Sequence, residues 1–268
     1  MKFISLFAGI GGLDLGLERA GMECVAQVEI DDFCQKVLTK HWANVPKYKD
    51  VRDVGKDNLP PADLICGGFP CQDVSLAGKR AGLEGKRSTL WSEFYRIVCE
   101  IRPRWVVIEN VTGLLSSDNG EFFTKILREL SESGYDAEWA VISAASVGSL
   151  HQRDRVIILA YSNGLGQLVF QNQPRSGKEK YREQWTGFIP TLGASHCARE
   201  QWRNEPSVGR VVDGVSAELD EFRIKSLGNA VVPQVAEFIG NCVMKAETCL
   251  TKREPDVCNV TVDVGIGE

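Results

Sequence analysis

Four groups of residues in this sequence have the types and placement to do chemistry. Cys71 stands directly after Gly67-Gly68-Phe69-Pro70, where two glycines and a proline turn the chain sharply at the end of an apolar run, Ala62-Asp63-Leu64-Ile65-Cys66. A thiol at the carboxyl end of a buried strand is placed to act as a nucleophile once ionised. Read alone, the stretch is equally a Pro/Gly loop with an incidental cysteine. Glu109 closes a second apolar run, Trp105-Val106-Val107-Ile108, and delivers a carboxylate to the same sheet edge. The plainer alternative is a solvated Glu109 beside a helix-capping Asn110. Arg153 and Arg155 face one way as the strand Val156 to Ala160 begins. Two guanidiniums on one face suit a phosphate or a polarised carbonyl oxygen, and Asp154 between them also permits a surface ion pair.

The fourth group is Ala8-Gly9-Ile10-Gly11-Gly12, which follows the apolar run from Phe3 to Phe7. A strand, a glycine turn and a helix N-terminus let backbone N–H groups approach a ligand closely. Glu29 ends the next strand, nearly twenty residues on, where nucleotide-binding α/β folds hold ribose hydroxyls. A dinucleotide oxidoreductase needs Gly-x-Gly-x-x-Gly, and Asp14 occupies the third glycine's place. An adenosine-containing cofactor without that pyrophosphate geometry fits better. Glycine turns of this kind also occur with no ligand.

These groups need a framework, and the chain supplies an alternating one. Leu13, Leu17 and Ala20 repeat at helical spacing, with Gly21 as the stop. Asp31 is the expected N-cap of a helix to about His41, with Phe33, Val37 and His41 on one face. Asp50-Val51 ends a short strand. Thr89 is the expected cap of a helix striped by Leu90, Phe94, Ile97 and Ile101. A helix near Phe122 to Leu130 and a strand near Glu138 to Ser143 follow. A last helix has Pro233 in its first turn and Val235, Phe238, Ile239, Cys242 and Val243 as its stripe. Alternating strands and helices predict an α/β fold. Residues 162–225 lose periodicity and read as a small irregular domain; 251–268 read as a flexible tail.

The chain has 268 residues, 43% hydrophobic and 25% charged, which are the proportions of a globular protein. No run is long enough to span a bilayer, and Met-Lys-Phe-Ile-Ser-Leu-Phe lacks a signal peptide's apolar core, so the expected location is the cytoplasm. Nine cysteines without Cys-x-x-Cys spacing argue against a disulfide framework or a structural zinc. The net charge of −5 hides basic clusters: Lys79, Arg80, Lys86 and Arg87 after Cys71, and Arg175, Lys178, Arg199 and Arg203 later. They hint at a phosphate-bearing partner.

Phe7-Ala8-Gly9-Ile10-Gly11-Gly12, Gly68-Phe69-Pro70-Cys71-Gln72, Glu109-Asn110-Val111, Arg153-Asp154-Arg155 and Gly228-Asn229-Ala230-Val231 resemble, in order and spacing, the motifs of the cytosine-5 DNA methyltransferases. The resemblance covers residues 1–160 and 227 to about 245. It implies a Rossmann-like methyltransferase fold: a seven-stranded, mostly parallel sheet in residues 1–161 and 226–250, with 162–225 as target-recognition region. S-adenosyl-L-methionine would lie at the sheet's carboxyl edge against Phe7, Ala8, Gly9, Gly11, Gly12, Ile30, Pro70, Leu90, Asn229 and Ala230. Glu29 would take its ribose, and Asp50 and Val51 its adenine.

The resemblance further implies that a Cys71 thiolate adds to C6 of a flipped-out cytosine, that Glu109 serves N3, and that Arg155 with Arg153 binds O2. Gln72, Ser75, Lys79, Arg80, Arg87, Arg175, Lys178, Arg199 and Arg203 would contact double-stranded DNA. A monomer working beside a cognate restriction endonuclease in a bacterial or phage-infected cell completes the expectation. An RNA cytosine methyltransferase and a catalytically idle DNA-binding relative are the alternatives. Two departures stand out: Ser5 where many relatives carry an acid, and His151 where a glutamine is usual.

Overall fold

A computed structural model describes residues 1–70, 83–149, 153–163, 226 and 230–252, with backbone alone for 83–89, 249, 251 and 252. The strands are β1 (Lys2–Leu6), β2 (Glu23–Val28), β3 (Lys47–Tyr48), β4 (Leu64–Gly67), β5 (Trp105–Val111), β6 (Tyr135–Ser143) and β7 (Asp154–Ser162). They form one seven-stranded sheet in the order β3-β2-β1-β4-β5-β7-β6. β1 to β5 pair in parallel. β7 runs antiparallel to both neighbours, so it is the one reversed strand. The seven-stranded, mostly parallel sheet that the resemblance implies is therefore present.

The strands are apolar because both faces are covered. Along β1, Phe3 faces one layer while Ile4 and Leu6 face the other. One layer is α3 (Leu83–Ile101) and α4 (Glu121–Glu132), which bury Trp91, Phe94, Ile97, Val98, Ile126 and Leu130. The other is α1 (Gly12–Arg19) and α5 (Pro233–Lys252), which bury Leu13, Leu17, Val235, Ile239 and Val243. α2 (Asp32–His41) crosses between β2 and β3.

Several expected signals act as read. Asp31 caps α2 by accepting from the N–H groups of Phe33 and Cys34, both at 2.9 Å. Gly21 ends α1: its N–H reaches the Glu18 carbonyl at 2.9 Å, and that of Met22 reaches Leu17 at 3.1 Å. Pro233 opens α5, and all five residues of the expected stripe are buried.

Other expectations change. α3 starts at Leu83, so Thr89 lies within the helix and does not cap it; the helix-forming Leu83, Glu84, Lys86 and Arg87 carry the helix back despite Gly85. The α2 face that packs inward is Cys34 and Leu38, while Phe33 and Val37 are half-exposed and His41 is exposed. A short helix over a twisted sheet buries a stripe one position away from its most aromatic one. The expected tail from 251 gives two residues to α5, which ends at Lys252; 253–268 and nearly all of 162–225 lie outside the described residues.

Candidate active site

At the carboxyl edge the turn after β1 has positive φ at alternate residues: Phe7 (+53°), Gly9 (+56°) and Gly11 (+85°). Only the glycines adopt this without steric cost. Glu29, directly after β2, clamps the turn. One carboxylate oxygen accepts from the Gly9 N–H at 2.7 Å and the other from the Asp31 N–H at 2.8 Å. Each oxygen keeps acceptor capacity for a hydroxyl. Beside it Ile30 is 59% exposed, an apolar surface at the mouth of the sheet. Space for a Cβ on Gly9 is open, whereas one on Gly11 would lie 2.4 Å from the Trp42 ring. Trp42 thus supports the turn from below, a role the sequence pattern did not announce.

Glycine at these two positions has different consequences. Gly9→Ala adds only the strain of a left-handed residue, about 1–2 kcal/mol, yet it fills space at the ligand face. Gly11→Ala adds that strain and a collision with Trp42. We expect Gly11→Ala to lower Tm the more of the two, and Gly9→Ala to weaken S-adenosylhomocysteine binding out of proportion to its change in Tm. Thermal melts beside ligand titration check both.

The remaining expected cofactor residues are spread around this turn. Gly12 packs against the return segment, where a Cβ would meet the Val231 carbonyl oxygen at 2.3 Å. Ala8 is buried and its N–H reaches the Val28 carbonyl. The Asp50 carboxylate accepts from the backbone N–H and guanidinium of Arg52, which hold it down at about 2 and cap the turn Val51–Asp53. The side chain of Val51 is buried in the core, and its carbonyl accepts from Arg96 Nη2 at 3.1 Å. Leu90 is half-buried on α3 and Pro70 exposed at the end of β4. Asn229 lies outside the described residues.

The second half of the site lies where β4, β5 and β7 meet. Glu109 is 7% exposed and its Oε1 accepts from Arg155 Nε at 2.9 Å. Burial pushes its carboxyl above the ordinary carboxylate range, against the opposing pull of Arg155 and Arg153. Reversal of β7 makes this pairing possible: the first residues of β7 sit beside the last of β5, with Arg155 opposite Val111. Gly68 leaves room for the carboxylate, since a Cβ there would stand 2.7 Å from Glu109 Oε2. Asn110 is buried, and its amide Nδ2 donates to the Phe69 carbonyl at 3.2 Å while Oδ1 accepts the Val111 N–H. That bond anchors the chain two residues before Cys71. It replaces the helix-capping role considered for Asn110.

The two arginines differ in the hydrogen bonds they make. Arg153 precedes β7, and its Nη2 donates to the Ala230 carbonyl at 2.7 Å, joining the strand to the return segment before α5. Arg155 holds Glu109. Loss of a charge-assisted bond costs about 1.5–3 kcal/mol, so Arg153→Ala should lower Tm and speed hydrogen exchange around Ala230 while Glu109 keeps its partner. Unchanged exchange there would reject this separation of roles. Cys71, Gln72, Ser75, Lys79, Arg80, His151, Arg175, Lys178, Arg199 and Arg203 lie outside the described residues, as does the side chain of Arg87. Among the described residues no group of His, Cys, Asp and Glu is arranged to hold a metal, and no helix is long and apolar enough to cross a membrane.

A doubly wound sheet with its next-to-last strand reversed, carrying a glycine turn and ribose-type acid, is a Rossmann-like fold of the methyltransferase type. The chain belongs to the C-5 cytosine-specific DNA methylase family, whose model matches residues 1–206. Type II methyltransferase M.HhaI of Haemophilus parahaemolyticus is 36% identical over 171 residues, 64% of this chain and 52% of that protein. Type II methyltransferase M.FnuDI of Fusobacterium nucleatum is 38% identical over 182 residues, 67% and 53% of the two chains. The chain thus spans about half the length of the curated relatives it matches. Among solved structures, a protein assigned as a DNA modification methyltransferase of an E. coli prophage superposes with a TM-score of 0.62 at 21% identity, over 92% of this chain and 99% of that one. The Entamoeba histolytica methyltransferase EhMeth gives 0.59 at 15% identity, over 95% and 99%.

Proposed function

We propose that this protein transfers a methyl group to C5 of a cytosine in a specific duplex DNA sequence. The observation that carries the reading is the pairing of buried Glu109 with Arg155, beside the Phe69 carbonyl that Asn110 anchors. Cytosine C5 is a poor nucleophile. Addition of the Cys71 thiolate to C6 makes the ring enamine-like and nucleophilic at C5. Glu109 donates to N3 as negative charge builds in the ring, and its desolvated carboxyl favours the protonated form needed for that donation. Arg155 orients Glu109 and lies next to the place for O2. Once C5 has gained the methyl group, a base removes the C5 proton and the Cys71–C6 bond breaks.

The residues at the glycine turn fit S-adenosyl-L-methionine: Glu29 for ribose hydroxyls, the exposed face of Ile30 for the adenine, and Gly9 for close backbone approach. When bound, it supplies the electrophilic methyl group. The target atom is unreachable in a stacked duplex, so the base must leave the helix, at a cost of about a few kcal/mol. Double-stranded DNA as partner, monomeric action and a cognate endonuclease belong to the same reading.

The test is incubation of the purified protein with methyl-labelled S-adenosyl-L-methionine and mixed-sequence duplex DNA, followed by base-resolution mapping. Label on cytosine C5 within one short sequence is expected. Label on adenine or on cytosine N4 would reject the chemistry, and label on tRNA alone would reject the DNA substrate.

A further inference from the structure

The first turn of α1 contains a fully buried acid that the site has not yet used. Asp14 is 0% exposed and bonds to both strands beneath the helix. Its Oδ2 accepts from Ser5 Oγ of β1 at 2.9 Å and its Oδ1 from Gln27 Nε2 of β2 at 2.7 Å, with Cys24 Sγ at 3.5 Å. All of these partners are neutral. The nearby ammonium of Lys47 bonds instead to the Trp42 and Val45 carbonyls. Burial accordingly pushes the Asp14 carboxyl up, while the bonds from Gln27 and Ser5 hold it back. Among the described residues Gln27 Oε1 has no hydrogen-bond partner, so the cluster is not a fully satisfied polar core.

Such a cluster is a poor way to stabilise a fold. A buried acid pays a large desolvation cost, and replacing such a cluster whole by well-packed apolar side chains is often neutral or stabilising. What the acid gives is direction. Asp14 is the third residue of α1, whose N-cap Gly11 has no side chain to hold it. Bonds to β1 and β2 fix the rotation of the helix about its axis, which an oily contact does not. Gly11 and Gly12, the end of the turn clamped by Glu29, lie three and two residues before Asp14.

We propose that Asp14 is a positioning residue for the cofactor turn: held by Ser5 and Gln27, it sets the rotation of α1 at which Gly9 to Gly12 face the methyl donor. The inference rests on the reading of this turn as the S-adenosyl-L-methionine site. It also gives Ser5 a reason, since an acid on the strand would meet the acid on the helix.

The test uses the full chain and S-adenosylhomocysteine as calorimetric probe, with Tm measured beside each titration. Binding to the unaltered protein comes first, and its absence would remove the reading of the site itself. Given binding, Asp14→Leu, which strands the Gln27 amide and the Ser5 hydroxyl, is expected to lower Tm and, where the protein stays folded, to weaken affinity by about tenfold or more. Asp14→Asn, which keeps the shape and lets the Ser5 hydroxyl reverse its bond, should stay within about threefold of the original. The exchange Ser5→Asp with Asp14→Ser should recover affinity lost in Asp14→Ser alone. Unchanged affinity in a folded Asp14→Leu protein overturns the proposal. Should Asp14→Leu not fold, failure of the exchange to recover the affinity lost in Asp14→Ser overturns it equally.

Discussion

Replacing Cys71 with serine is expected to leave a folded protein that binds S-adenosylhomocysteine normally and methylates DNA slower by about 10³-fold or more. The two side chains have nearly the same shape, so the fold has no reason to respond. Their nucleophilicity is what differs, because the hydroxyl stays protonated where a thiol ionises. The chain just before Cys71 is held by the Asn110 bond to the Phe69 carbonyl and by the fixed φ of Pro70. A duplex carrying 5-fluorocytosine makes the point directly. Fluorine cannot leave C5 as a cation, so the unaltered protein should accumulate a covalent adduct that survives denaturation, and Cys71→Ser should form none. Methylation by the serine protein within tenfold of the original would exclude Cys71 as nucleophile.

The second large effect is expected from Glu109→Gln, with a loss in kcat of about 10²- to 10⁴-fold and little change in binding of S-adenosylhomocysteine. The amide keeps an acceptor for Arg155 Nε but cannot pass a proton to N3. Gly68→Ala should act through the same group, since its methyl would press on Oε2. The pair also predicts a pH signature. Burial raises the Glu109 carboxyl above its ordinary value of 4.5. A group raised on folding stabilises the fold fully below its unfolded value, and that contribution is lost as pH rises through the folded one. Wild type should therefore lose Tm relative to Glu109→Gln as pH rises above the ordinary carboxylate value. A difference in Tm that stays flat over that rise would mean that the carboxyl is not raised.

Much of this site could be read in the sequence because its residues end apolar runs. Glu29, Glu109 and the turn before Cys71 each follow a strand buried on both faces, and such runs are visible without knowledge of their neighbours. The N-cap at Asp31 and the stop at Gly21 were visible for the same local reason. Partnerships across the sheet were not. Nothing in the spacing of Arg153 and Arg155 says that one holds Ala230 and the other Glu109, because that depends on the reversal of β7. Asp14 registered only as a missing glycine, since a polar residue at a core position shows its purpose only with its partners in place. Trp91 and Val98 broaden the α3 stripe for a similar reason: the helix is covered by α4 as well as by the sheet.

Reversal of β7 has a consequence for engineering the chain. Its nine residues run away from the carboxyl edge, and Ser162 ends opposite Tyr135, at the far side of the sheet. The chain is back at the carboxyl edge by Ala230, which Arg153 holds. The two attachment points of residues 164–229 are therefore separated by the length of a strand, about 30 Å at 3.3 Å per residue. A replacement segment must bridge that span, which takes at least about nine extended residues. A two-residue splice would pull either the end of β7 or the start of α5 out of the sheet layer. Foreign segments of about nine residues or more can be exchanged here, provided that their ends are built to reach across the domain.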